Sequence, residues 1–157
     1  MGSLLGCDRW RCLFQGIPLA ALLGAAPLAI SCERNKADLQ PGDRIESVGR
    51  EVAVRFPPST RLIGVHREKG IDEWIGVKVE MSSGDWPGFL ASTPIDPGLF
   101  EPGSCGKLGS DFAFWDPHKA KKLRTAQAIL QNGRVLNIAY DDSRGSVVVV
   151  YVVNHSR

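Results

Sequence analysis

Few residues in this chain could carry chemistry, and they are scattered. Cys105 lies in the run Gly103-Ser104-Cys105-Gly106, a thiol flanked by glycines. A thiol becomes a nucleophile when a nearby base raises its thiolate fraction. The nearest histidine in sequence is His118, with His66 further back. A thiol enzyme would therefore bring Cys105 within hydrogen-bond reach of one of them; a loop cysteine with no catalytic part is the expected alternative. Two acidic pairs, Asp72-Glu73 and Asp141-Asp142, have the composition of a two-carboxylate hydrolase, which would need them across one cleft. Both pairs fall where turns are expected, and turn chemistry explains them, because Asp side chains bond nearby backbone amides. His66 falls inside a strand pattern and His155 near the C-terminal end, and both are expected to be polar surface residues. The cysteines at 7, 12, 32 and 105 and the histidines at 66, 118 and 155 lie too far apart for zinc-ligand spacing. No G-x-S-x-G elbow, H-E-x-x-H helix or phosphate-binding glycine loop is present. The reading is a non-enzymatic protein with no catalytic residue, metal or cofactor.

Binding chemistry is better represented. From Phe114 to Arg124 the sequence FWDPHKAKKLR joins two aromatics to Lys119, Lys121, Lys122 and Arg124. A basic strip of this kind can grip an acidic protein surface. Trp74 and Trp86 are candidate exposed anchors, since tryptophan dominates many binding hot spots, with burial of Trp74 by a covering helix or loop as the alternative; Phe114 and Trp115 are expected in the core. Between Thr93 and Asp111 prolines and glycines erase any periodicity. A loop of that length is either a binding element or a surface crossing pinned by Phe100 and Leu108. The formal charge of +2 is too small to imply a nucleic-acid partner. Setting aside residues 1–31 removes Arg9, Arg11 and Asp8 and leaves a balanced 17 basic and 16 acidic residues.

The elements that must position these residues can be read from period and punctuation. The chain has 157 residues, 43% hydrophobic and 23% charged, which fits one ordinary globular domain without repeats. Asp43 is placed to cap a helix carrying Ile45, Val48, Val52 and Phe56 at spacings of three and four, ended by Pro57-Pro58. Gly49 would cost that helix about 1 kcal/mol. Strands are predicted over Arg61–Glu68 and Glu73–Met81, joined by a turn at Lys69–Asp72. In the second, Ile75, Val77, Val79 and Met81 share one face, and Trp74, Lys78 and Glu80 the other. A short helix follows, capped by Ser83 or Asp85 with Pro87 in its first turn. Two further strands flank Asn132-Gly133, a hairpin signal because both residues tolerate positive φ. Asp141–Ser146 makes another turn into VVVVYVVNH, whose unbroken apolar run suits a central strand buried on both faces. The predicted fold class is α+β: one antiparallel sheet of about five strands covered by one or two helices, spanning 43–157.

The N-terminal segment speaks to address. From Cys12 to Ser31 there is no charge, and Arg9 and Arg11 precede that apolar stretch. A basic start, an apolar stretch and small residues before a boundary make an export signal. The run Leu28-Ala29-Ile30-Ser31-Cys32 resembles the end of a bacterial lipoprotein signal peptide. That resemblance implies cleavage before Cys32, diacylation of Cys32, and a polar tether over 32–42 that holds the domain off the membrane. Cleavage at an ordinary site within 26–31, giving a soluble secreted protein, or an uncleaved anchor are the alternatives. The start MGSLLG lacks the Ser or Thr at Gly6 that myristoylation wants. If Cys32 is acylated, Cys105 stays as a thiol; otherwise the two could bridge.

These signals imply a lipid-anchored protein of the bacterial envelope, facing the periplasm, that binds a protein partner there. In architecture and address the chain resembles small bacterial lipoproteins, among them immunity proteins that block an antibacterial effector by occlusion. The covering surface would be the 93–111 loop with Phe100, Trp74 and Trp86, and the basic strip. A small-ligand or cell-wall binder is the alternative, which predicts an apolar pocket beneath the long loop.

Overall fold

A computed structural model describes residues 39–40, 42–70, 72–103, 108–109 and 114–156. Among them lie two helices, α1 (Ile45–Glu51) and α2 (Trp86–Ala91), and six strands. The strands are β1 (Arg61–Glu68), β2 (Trp74–Ser82), β3 (Glu101–Pro102), β4 (Arg124–Ile129), β5 (Val135–Asp141) and β6 (Val147–His155). All pair antiparallel in one sheet of order β1-β2-β6-β5-β4-β3. The α+β class is as read from the sequence; the sheet has six strands, not about five. The extra one is β3, whose two residues pair with Thr125 and Arg124 inside a segment where prolines and glycines hide every period.

The central position of β6 explains its composition. It pairs with β2 on one side and β5 on the other, and Val148 to Asn154 are all buried. Such a strand needs apolar side chains on both faces. On one face Val148, Val150 and Val152 join Val65, Ile75, Val77, Val79, Met81, Leu136 and Ile138 beneath α1, α2 and Phe89. On the other, Val149, Tyr151 and Val153 join Ala139, Leu108 and Trp115, with Trp74, Phe114 and Leu123 packed against them. There the covering layer is aromatic. It comes so close to the strands that a Cβ at Gly76 would lie 2.2 Å from the Trp74 ring, and one at Gly64 2.5 Å from Phe114.

Several local expectations are corrected. Helix α1 stops at Glu51, before the prolines, because the chain reverses there. The Val54 N–H donates to the Gly49 carbonyl at 2.9 Å and Ala53 N–H to Arg50 at 3.3 Å, with Ala53 at φ 60°. That is a left-handed C-terminal reversal. Gly49 belongs to it, since a Cβ there would meet the Val54 oxygen at 2.7 Å. Arg44, not Asp43, occupies the N-cap position of α1; the Asp43 carboxylate instead takes Arg67 at 2.8 Å and the Gln40 amide at 2.8 Å. Asp85 holds the N-cap position of α2, with Pro87 in the first turn, but its carboxylate accepts from the Ser59 hydroxyl. In the β4–β5 turn only Gly133 has positive φ, at 80°. The Leu130 N–H reaches the Arg134 carbonyl at 2.8 Å, giving a wider turn with a glycine bulge than the two-residue loop expected.

Candidate functional site

The basic strip is built from the second face outward. The chain crosses that face through Trp115 and Asp116, makes a 3₁₀ turn at Pro117–Lys119, and enters β4 at Arg124. Trp115 is held by its indole N–H, which donates to the Leu108 carbonyl at 2.9 Å. The Asp116 carboxylate turns inward, where it accepts from the Lys78 ammonium and, at 2.9 Å, from the Tyr151 hydroxyl. Burial works to raise its pKa, but these two hydrogen bonds outweigh it and hold the carboxyl below its ordinary value. Burial, reinforced by the neighbouring Asp116 carboxylate, pushes the Tyr151 phenol far up. Asp141 also faces inward, accepting from the Lys121 amide at 3.1 Å and the Ser143 amide at 3.0 Å. Burial pushes against ionisation there too, and the backbone donors again hold the carboxyl low.

With those two acids occupied, the strip's own charge faces water. Lys119 is exposed, its ammonium 3.7 Å from Asp116, an exposed pair of little energetic weight. Lys121, Lys122 and Arg124 are exposed and have no ion-pair partner among the described residues. The four positive groups span six positions, and only Lys119 meets a carboxylate, at the outer edge of ion-pair range.

The aromatic candidates are placed differently. Trp74 is half-buried over Gly76, its ring 6.0 Å from Trp115 and 5.8 Å from His66. Trp86 is half-buried as well, 4.4 Å from Tyr140, 5.6 Å from Phe89 and 6.3 Å from Phe100. Neither is the exposed anchor expected, because each finds an aromatic neighbour that a long covering loop or helix delivers. Phe100 is not the exposed contact expected either, since it is buried against Trp86 and Tyr140. With the buried Leu108 it pins the long loop at two points; Trp115 is core and Phe114 half-buried.

His66 is also corrected: it is buried on the second face, with Nε2 3.2 Å from Glu68. His118 is exposed on the 3₁₀ turn, and His155 is half-buried at the end of β6. Glu73 is taken by Arg134 at 3.0 Å, and Asp141 by backbone amides, so neither acidic pair offers two free carboxylates. Cys32 and Cys105 lie outside the described residues, as do the signal segment and most of the tether. Among the described residues no group of acidic, His or Cys side chains could hold a metal ion, and no helix is long and apolar enough to cross a membrane.

Two features escaped the sequence reading. One is the Lys78–Asp116–Tyr151 cluster. Its signal was the tyrosine within an otherwise aliphatic central strand, since a buried phenol needs a partner. The other is a groove of about 880 Å³ between α1 and α2, floored by the Phe56 and Phe89 rings stacked at 5.6 Å. Arg50, Arg55, Glu46 and Asp85 line it, and none of the described residues of the 93–111 loop does. No known protein family, curated protein or solved structure matches the chain.

Proposed function

We propose that the protein is a lipid-anchored envelope protein that binds an acidic surface of a protein partner in the periplasm through Lys119, Lys121, Lys122 and Arg124. The observation that supports the binding half is the inward turn of Asp116 and Asp141, which leaves Lys121, Lys122 and Arg124 exposed and without an ion-pair partner among the described residues. Opposed potentials of this kind speed encounter and fix orientation more than they add affinity. The address rests on the uncharged stretch before Cys32 and its lipoprotein-like end. Blocking of an antibacterial effector is one form this role takes: a rigid domain covers the effector's active site and needs no catalytic group of its own.

The test is co-expression with the products of adjacent genes, capture on the tagged chain, and mass spectrometry of the captured chain's N-terminus. Capture of a neighbour's product that Lys121→Glu/Lys122→Glu/Arg124→Glu abolishes, and that weakens as salt shortens the screening length, supports the reading. Capture indifferent to charge reversal overturns the strip as the site, and an unmodified Cys32 overturns the anchor. The small-ligand alternative has one observation in its favour, the apolar-floored groove between the helices, whose volume suits a small organic ligand.

A further inference from the structure

The two edges of the sheet are finished differently. At one, β1 presents an eight-residue edge that no strand among the described residues meets, but its register shifts between Leu62 and Gly64. Arg61 there is tied to Glu80, and Arg67 to Asp43 and Glu51. A bulge and fixed charges are how edges are kept from pairing with other chains. At the other, β3 covers β4 at Arg124 and Thr125 alone.

The backbone phase of β4 follows from two independent hydrogen bonds. Gly103 N–H donates to the Leu123 carbonyl at 2.9 Å, so Leu123 points its peptide groups outward, toward β3. Leu130 N–H donates to Arg134, so even-numbered residues point inward, toward β5. By alternation, the N–H and C=O of Gln127 and Ile129 face outward. No strand among the described residues meets them. Both side chains are exposed, Ile129 at 56%, which is high for an isoleucine.

We infer that this open stretch of β4 accepts an added strand from the partner, an extended acidic segment lying where β3 breaks off. Main-chain hydrogen bonds to Gln127 and Ile129 would hold such a segment, and Ile129 would cover one of its apolar side chains. Its charge is set by the end nearest Thr125, where Arg124, Lys122 and Lys121 outnumber Glu101, the one carboxylate on β3. The inference rests on the strip reading and adds to it a binding mode and a partner conformation.

The probe is an eight-residue capped peptide alternating glutamate and valine, titrated into the full-length protein while amide hydrogen exchange is followed residue by residue. Exchange at Gln127 and Ile129 is expected to slow at least tenfold, while the same peptide N-methylated at alternate residues binds at least tenfold more weakly. Gln127→Pro removes an outward N–H that the β5 ladder does not use, and is expected to weaken binding similarly. Binding that leaves exchange at Gln127 and Ile129 unchanged, or tolerates N-methylation, overturns strand addition; if Lys122→Glu/Arg124→Glu still abolishes that binding, the strip survives alone. Edge protection that ignores the charge reversal overturns the strip and keeps the edge. No binding at millimolar peptide overturns strand addition outright.

Discussion

The two faces of the sheet are both buried, yet by different means. Under α1 and α2 the contacts are mainly apolar: aliphatic side chains from five strands against Phe89, Phe56 and Val48, with a buried amide, Asn154, held by Arg134 at the end of the sheet. Under Leu108 and the 114–123 segment, aromatic rings surround a polar knot in which Lys78, Asp116 and Tyr151 satisfy one another. An apolar layer tolerates swaps that conserve volume. A buried ion pair is less forgiving, because removing one partner strands the other. The functional consequence lies on the second face, since the same Asp116 that neutralises Lys78 reaches the basic strip only through the exposed Lys119 and leaves Lys121, Lys122 and Arg124 unpaired among the described residues.

The largest expected effect tests that contrast directly. Asp116→Ala leaves the Lys78 ammonium, only 10% exposed, and the Tyr151 hydroxyl without their partner. Loss of one member of such a pair costs about 3 kcal/mol, at the lower end of the range because Asp116 is partly wet. On the other face, Met81→Leu conserves the volume of a fully buried apolar side chain and is expected to cost less than about 1.5 kcal/mol. Urea denaturation of the two variants checks the ordering. Equal costs would mean that the polar knot is no more demanding than the apolar layer.

Acid provides a gentler version of the same experiment. The folded-state pKa of Asp116 is depressed, so its ionised form contributes stability above the unfolded carboxyl value, about 3.9. That contribution is lost as pH falls below about 4 and through the folded value. The other face carries a matching group, because the Arg67 hydrogen bond holds Asp43 low where α1 meets β1. Stability should therefore fall with acid in the unmodified protein, and Asp116→Asn should flatten part of that slope and leave the parts due to Asp43 and Asp141. The effect is smaller than truncation, because the side chain stays in place. Denaturation midpoints between pH 3 and 6, roughly the window set by these carboxyl groups, check it.

What could be read in advance divides along the same line. The alternation of Ile75, Val77, Val79 and Met81 and the unbroken run of β6 are local signals, and they placed the helix-covered face correctly. The cover of the second face is not local: Lys78 and Asp116 are 38 residues apart, and Tyr151 and Asp116 are 35. Alternation put Trp74 on the opposite side from the valines, and nothing in its neighbourhood says that Trp115 will arrive above it. The composition of the basic strip was legible. That its flanking acids face inward was not, because their partners come from β2, β6 and backbone amides that only the folded sheet assembles. Turn detail failed where one residue decides it, as with Ala53 in the reversal after α1.

That reversal supplies the smallest and most local test, confined to the apolar face. Ala53 holds φ 60°, a region where the Cβ of an L-residue crowds its own backbone and glycine does not. The side chain is exposed, so removing it uncovers no core. Ala53→Gly relieves the crowding and, against that, gives the unfolded chain more freedom to lose. The two oppose, and the steric relief is the larger, so a gain of about 0.5 kcal/mol is expected. The same substitution at Gly49 in reverse, Gly49→Ala, drives a methyl against the Val54 carbonyl and should lose more than Ala53→Gly gains. If both changes prove neutral, the reversal does not fix the end of α1, and the helical cover is held by packing and the Arg67–Asp43–Glu51 ion pairs alone.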